Sequence, residues 1–317
     1  MMIDTLEAVR LGGITQWIRV RGTDSSNPVL LLMQQGPGLP IINEVRTFER
    51  LLGLENDFTV VYWDQRGTGL SLRNSKAEIS VARMIGDTVS LLELLGYRFG
   101  RKTFVAGFSF GATFAAYAAV KRPDLVAGLV ATGMDIDIPM AENHTYDFVL
   151  STARRRGNRH AIRQLEKIGP PPHLAAKQFS TRARWAMNFG GVTANANFNS
   201  LARTLLGSLL RSRDYAMTDT VRTVRGITTT QAALLPELAT TDLVGTIPHL
   251  EVPIVIVQGR LDQVAPGQAA QRFYDSLTAP NKQLVWFEKS AHTPQYDEPD
   301  KFRDVLIAVR TSHLADG

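Results

Sequence analysis

The sequence contains no cysteine. Disulfides, thiolate nucleophiles and cysteine-ligated metals are therefore excluded as organising features. The six histidines are scattered, with no pair at helical or hairpin ligand spacing, so no metal is expected. No cofactor is expected either. Nowhere do some eighteen apolar residues run uninterrupted, which argues against a membrane span. The opening MMIDTLEAVRLGG lacks the basic stretch and apolar core of a secretory signal, so a cytoplasmic location is expected. The net charge is +5, but Glu and Asp interrupt the basic residues and no recognition motif for DNA or RNA is visible. The expected partner is a small-molecule or short-peptide substrate, not a nucleic acid or a membrane. The oligomeric state is left open.

What remains is a chain of 317 residues, 44% hydrophobic, long enough to bury a large core. Short runs rich in Val, Ile and Leu recur from Pro28 to Met33, Phe58 to Trp63, Thr103 to Ala106, Leu125 to Ala131, Pro253 to Val257 and Gln283 to Phe287. Continuous apolar runs of this length suit strands buried on both faces. Helical spacing is found between them, from Ser80 to Leu95, Gly111 to Lys121, Pro266 to Leu277 and Pro299 to Val309. The alternation predicts an α/β fold with a mainly parallel sheet covered by helices on both faces.

The rhythm breaks after Met134, where helical patterns and polar loops replace strands. A helical cap over residues 137–246 is expected, inserted into a core made of residues 1–136 and 247–317. Within the cap, Gly169-Pro170-Pro171-Pro172 and Gly190-Gly191 read as breaks between helices.

Gly107-Phe108-Ser109-Phe110-Gly111 follows a predicted strand and opens a predicted helix. The glycines permit a sharp turn that would expose Ser109 above the sheet, where the helix N-terminus favours developing negative charge. A serine needs a base, and His292 lies just beyond the last predicted strand, at an edge where open α/β sheets place their ligands. A carboxylate should orient the histidine. Asp262, on the loop after Pro253 to Val257, is the first candidate, and Asp135 is the rival acid. Oxyanion donors are expected from the backbone N–H of Phe110 and from Gln34-Gln35-Gly36-Pro37-Gly38, through either Gln35 or Gly36.

With these segments in order, the chain resembles the proline iminopeptidase branch of the α/β-hydrolases, peptidase family S33. The most specific piece is Tyr62-Trp63-Asp64-Gln65-Arg66-Gly67-Thr68-Gly69-Leu70-Ser71, similar to that branch's Asp-Gln-Arg-Gly signature. The resemblance implies a serine hydrolase with an inserted cap, acting on an amide or ester bond through an acyl-enzyme. Release of an N-terminal amino acid is one expectation, and an esterase, lactonase or non-peptide amidase is the alternative; a non-catalytic binding protein on the same scaffold is a different class. It also implies a structural role for Asp64 and Arg66 at the pocket floor. The family's His-Gly-Gly-Pro-Gly loop is here replaced at its first two positions by Gln34 and Gln35, and the Trp after the serine is Phe110.

Residues expected to line a substrate pocket are Gln34, Phe108, Trp185 and Asn188. The last stands where the family would place an acid for the substrate's amino terminus. Cap acids that could meet such an amine are Glu142, Asp147, Glu166, Asp214 and Glu237. The cluster Arg154, Arg155, Arg156, Arg159 and Arg163 reads as a solvated helix face, although arginines turned into the pocket would favour an anion.

Overall fold

In the computed structural model, residues 1–73, 77–193 and 195–315 are described. The strands are β1 (Ile3–Leu11), β2 (Ile14–Gly22), β3 (Val29–Met33), β4 (Thr59–Asp64), β5 (Thr103–Phe108), β6 (Val126–Thr132), β7 (Ile254–Gly259) and β8 (Lys282–Phe287). They form one sheet in the order β1-β2-β4-β3-β5-β6-β7-β8. The pairings of β1 with β2 and of β2 with β4 are antiparallel, and those from β4 to β8 are parallel.

The six parallel strands are the six apolar runs: β3 to β7 are buried along their whole length, as strands covered on both faces are, and β8, at the sheet edge, is only partly buried. Along β3 the two faces separate with period two. Val29, Leu31 and Met33 join one core cluster, whereas Leu30 and Leu32 join the other. The first cluster takes in α2 (Val81–Phe99), α3 (Phe110–Lys121) and α10 (Gly267–Ser276); the second takes in α1 (Val45–Leu52) and α12 (Pro299–Ala315). Helices thus cover both faces of the sheet.

The hairpin β1–β2 lies outside the sequence expectation. β1, at the edge, mixes half-buried and exposed positions, and β2 alternates half-buried with buried ones, so neither forms a continuous apolar run, as suits antiparallel strands. Between β6 and β7 come α4 (Ile138–Arg155), α5 (Arg159–Ile168), α6 (Ala176–Asn188), α7 (Phe198–Arg211), α8 (Met217–Leu238) and the single turn α9 (Leu243–Thr246). A second single turn, α11 (Pro294–Asp297), precedes α12. The helical insert has its own small core, in which Tyr146, Val149, Leu165 and Trp185 meet. No described helix is long and apolar enough to cross a membrane.

Candidate active site

Strand β5 ends at Phe108 and α3 begins at Phe110, so Ser109 alone makes the turn. It does so at φ 51° and ψ −124°, and among the described residues it is the only non-glycine with positive φ. The flanking glycines are required sterically. A Cβ on Gly107 would lie 2.4 Å from Ala112 Cα, and one on Gly111 would lie 2.3 Å from the Gln34 carbonyl oxygen. The start of α3 therefore rests directly on the loop after β3. The N–H of Phe110, at the first position of α3, has no acceptor within the helix.

Asp64 fixes the loop from the other side. Its buried carboxylate accepts the N–H groups of Ile41 at 2.9 Å, Ile42 at 3.1 Å and Leu70 at 2.8 Å, together with the Tyr215 hydroxyl. Arg66 forms a fully buried ion pair with Asp87, Nε to Oδ2 at 2.8 Å, and bonds to the Gly12 carbonyl at 3.0 Å. Asp64 thus acts on backbone beside the pocket, through Ile41, whereas Arg66 holds the turn between β1 and β2, away from the cavity lining. Gln34, Gln35 and Gly36 line the cavity, and Gln34 Nε2 is a buried donor without a partner among the described residues.

His292 follows β8, and its Nδ1 lies 2.8 Å from Asp262 Oδ2. The carboxylate can only accept, so Nδ1 carries the proton and Nε2 keeps its lone pair. Asp262 is itself held by N–H groups of Val264 at 2.7 Å and Ala265 at 3.0 Å. Burial pulls the His292 pKa down, but the charge and hydrogen bond of Asp262 and the charge of Asp135 outweigh it, leaving the pKa above its ordinary value.

Asp135, the rival acid, takes a different place. It approaches the serine: Ser109 Oγ donates to Asp135 Oδ2 at 2.7 Å, and no described hydrogen bond joins that hydroxyl to His292. Serine–histidine bonds in a ligand-free site commonly tighten only when substrate binds. Burial pushes the Asp135 carboxyl up to about 6.

The insert closes over these groups and encloses a cavity of about 930 Å³. Its segment around Gly190-Gly191 does more than separate helices. The Gly191 carbonyl accepts the Gln263 N–H at 3.1 Å, the Val192 carbonyl accepts the His292 N–H at 2.8 Å, and Thr193 Oγ1 donates to Asp297 at 2.7 Å. The insert is thereby stitched to the loops carrying Asp262 and His292.

Gln34, Phe108, Ser109 and Phe110 line the cavity, but Trp185 and Asn188 do not. Phe179, Ser180, Arg182, Ala183, Arg184, Ala186 and Met187 are the α6 residues that line the cavity, whereas Trp185 packs toward α4 and α5. Its indole N–H donates to Gln164 at 3.0 Å. Asn188 instead accepts the N–H of Phe198 at 3.0 Å, fixing the start of α7. Of the cap acids, Glu142 lines the cavity and pairs with Arg182 at 2.6 Å, both being buried, with His173 Nδ1 2.8 Å from the same arginine nitrogen. This buried cluster was not legible in the sequence. Arg154, Arg155, Arg156, Arg159 and Arg163 are exposed and lie outside the cavity.

A mainly parallel sheet with a serine at a strand-to-helix elbow, and a histidine and carboxylate on the loops after its last strands, defines the α/β-hydrolase fold. Residues 49–299 match the serine aminopeptidase S33 family, and the chain belongs to that family of hydrolases. It is 29% identical over 316 residues to the "Probable aminopeptidase YbaC" of Bacillus subtilis, covering 98% of each chain. It is 26% identical over 268 residues to the "Putative carbamate hydrolase RutD" of Stutzerimonas stutzeri, covering 84% of this chain and 85% of that one. Among solved structures, the proline iminopeptidase-related protein of Thermus thermophilus superposes with a TM-score of 0.67 at 16% identity, covering 97% of both chains. This last likeness is one of fold.

Proposed function

We propose that the protein is a serine hydrolase that cleaves an amide or ester bond through an acyl-enzyme, with residues 137–246 acting as a cap over a core of residues 1–136 and 247–317. The observation that carries this reading is the placement of Ser109 at the strained elbow, in one cavity with a histidine whose Nδ1 is committed to Asp262 at 2.8 Å. Ser109 Oγ attacks the scissile carbonyl carbon as its proton passes to His292 Nε2. The Phe110 N–H, with Gln35 or Gly36 opposite, receives the oxyanion. His292 then returns the proton to the leaving nitrogen or oxygen, and a water, deprotonated by the same imidazole, releases the acid. Asp262 holds the tautomer and stabilises the imidazolium throughout. No cofactor takes part.

Two substrate readings follow from the relatives. Release of an N-terminal amino acid fits the family and the "aminopeptidase" in the name of the Bacillus relative. Cleavage of a small carbamate, ester or non-peptide amide fits the name of the Stutzerimonas relative and the replacement of the family's His-Gly by Gln34-Gln35. The first is preferred because the cavity places acidic Asp135 at the nucleophile and excludes the exposed arginine cluster.

The mechanism is tested with a fluorophosphonate probe and nitrophenyl esters. Ser109→Ala is expected to abolish labelling, and Ser109→Ala and His292→Ala to cut turnover by orders of magnitude. The double variant should be little worse than either single one, because the two act as a unit. Losses that multiply would count against a shared catalytic unit.

A further inference from the structure

The Asp135 carboxylate has a use that the acyl-transfer scheme leaves unassigned. Strands β5 and β6 are parallel neighbours, so the residues following them emerge side by side at one sheet edge. The Ser109 N–H bonds to the Thr132 carbonyl at 2.8 Å, and Thr113 Oγ1 donates to the Asp135 carbonyl at 2.9 Å. These two bonds lock the backbone on either side of the contact between Ser109 Oγ and Asp135 Oδ2. No hydrogen bond reaches Oδ1 among the described residues, and the carboxylate lines the cavity.

Acylation changes this arrangement. Once Ser109 Oγ is bonded to the substrate and its proton has left, Asp135 loses the donor it has in the free enzyme. A buried carboxylate without a donor is costly, so a substrate that brings a replacement is favoured in the transition state. A substituent on the carbon next to the scissile carbonyl is only three bonds from Oγ in the acyl-enzyme, within reach of a carboxylate 2.7 Å from that oxygen. An ammonium in that position offers both N–H donors and the opposite charge.

The charged groups facing Asp135 are His292, Asp262 and Arg182. Arg182 is already paired with Glu142 at 2.6 Å, and His292 is held by Asp262 at 2.8 Å. Each cation facing Asp135 thus already has a carboxylate partner of its own, which leaves Asp135 with the Ser109 hydroxyl. Burial pushes the Asp135 carboxyl up to about 6, against the opposing charge of His292 and the Ser109 hydrogen bond.

We propose that Asp135 is a specificity-determining residue that holds a free ammonium group α to the scissile carbonyl, selecting aminoacyl esters and amides. The proposal rests on Ser109 being the nucleophile. It places amine recognition on the core sheet, beside the reacting oxygen.

The test compares alanine p-nitrophenyl ester with propionic acid p-nitrophenyl ester, identical but for the amino group. Rates are taken at pH 7 and each is divided by the uncatalysed rate, because the ammonium itself activates the ester. The wild-type protein is expected to prefer the alanyl ester by at least about thirtyfold in kcat/KM, equivalent to about 2 kcal/mol. In Asp135→Asn that ratio should fall to within about threefold of one, and in Asp135→Glu part of it should return. Fluorophosphonate labelling of Asp135→Asn reports a folded protein with a competent serine. A wild-type ratio near one, or equal losses on both esters in Asp135→Asn, would overturn the proposal while leaving the serine mechanism standing. Labelling that persists in Ser109→Ala would instead remove the mechanism and the proposal together.

Discussion

Gly133 packs against the imidazole of His292 so closely that a Cβ on Gly133 would lie 3.0 Å from Nδ1 and 3.1 Å from Cε1. The glycine also stands at φ 51°, which an L side chain rarely adopts. The loop after β6 is thus a wall for the ring that the loop after β8 supplies. On the proposed mechanism, that wall sets the angle at which Nε2 meets the serine.

Gly133→Ala is therefore expected to displace the imidazole and strain the backbone at once. The expected result is a fall of about tenfold or more in kcat, with a smaller change in KM and a loss of about 1 kcal/mol or more in stability. Nitrophenyl ester kinetics and urea unfolding check both. Unchanged kcat would mean that the ring tolerates the contact.

The acid limb of activity should report the same histidine. His292 must be neutral to accept the serine proton, and its pKa lies above the ordinary value because the carboxylates around it outweigh burial. Activity on a neutral ester should therefore be lost as pH falls, with the midpoint above the usual histidine value of about 6.5. Asp135→Asn removes one of the charges that favour the imidazolium, so its midpoint should move to lower pH. A profile of kcat/KM against pH for the propionyl ester tests this. An unmoved or raised midpoint would contradict the electrostatic account.

Asp135 should also cost stability. Its carboxyl is raised by burial from 3.8 to about 6, so the folded state binds its proton more tightly than the unfolded state does. Below the unfolded value both states are protonated and the difference vanishes. Between the two values stability falls as pH rises, and above about 6 a constant penalty of roughly 3 kcal/mol remains. Asp135→Asn, which keeps an acceptor for Ser109, should thus gain about 1–3 kcal/mol over wild type at pH 7.5 and almost nothing near pH 4. Urea midpoints at the two pH values provide the measurement. A destabilised variant at pH 7.5 would show that the carboxylate is held by favourable contacts and not merely tolerated.

The parallel sheet was legible because strands buried on both faces must be largely apolar, as Val29–Met33 is and as Thr59–Asp64 is between its polar ends. The β1–β2 hairpin escaped that criterion because one side of it meets solvent. Ser109 could be read from its neighbours, since the turn it makes demands Gly107 and Gly111 in the same short segment. Asp135 was visible as an acid after a strand, but its bond to Ser109 depends on β5 and β6 lying adjacent in the sheet. That adjacency is a property of topology, which spacing along the chain does not encode. Trp185 was misplaced for a related reason: a tryptophan suits a pocket, yet helix phase turned it into the insert's own core and left Arg182 and Met187 facing the cavity.

The elbow itself makes the last prediction. Ser109 holds φ 51° and ψ −124°, a region that glycine enters freely and other residues enter at a cost of about 1–3 kcal/mol. Ser109→Ala removes the hydroxyl and its bond to Asp135 but leaves the Cβ and hence the strain. Ser109→Gly removes both. If the fold imposes this conformation on whatever residue stands there, the glycine variant should be more stable than the alanine variant by about 1 kcal/mol or more, although glycine elsewhere loses to alanine through its greater unfolded-state freedom. Both variants should be inactive toward the fluorophosphonate probe, so stability is compared between two proteins that differ only at this turn. The measurement is the difference in urea unfolding free energy between the two. An alanine variant equal to or more stable than the glycine variant would mean that the turn relaxes when the hydroxyl is gone, and that the strain belongs to the serine and its partner Asp135 and not to the chain path from β5 into α3.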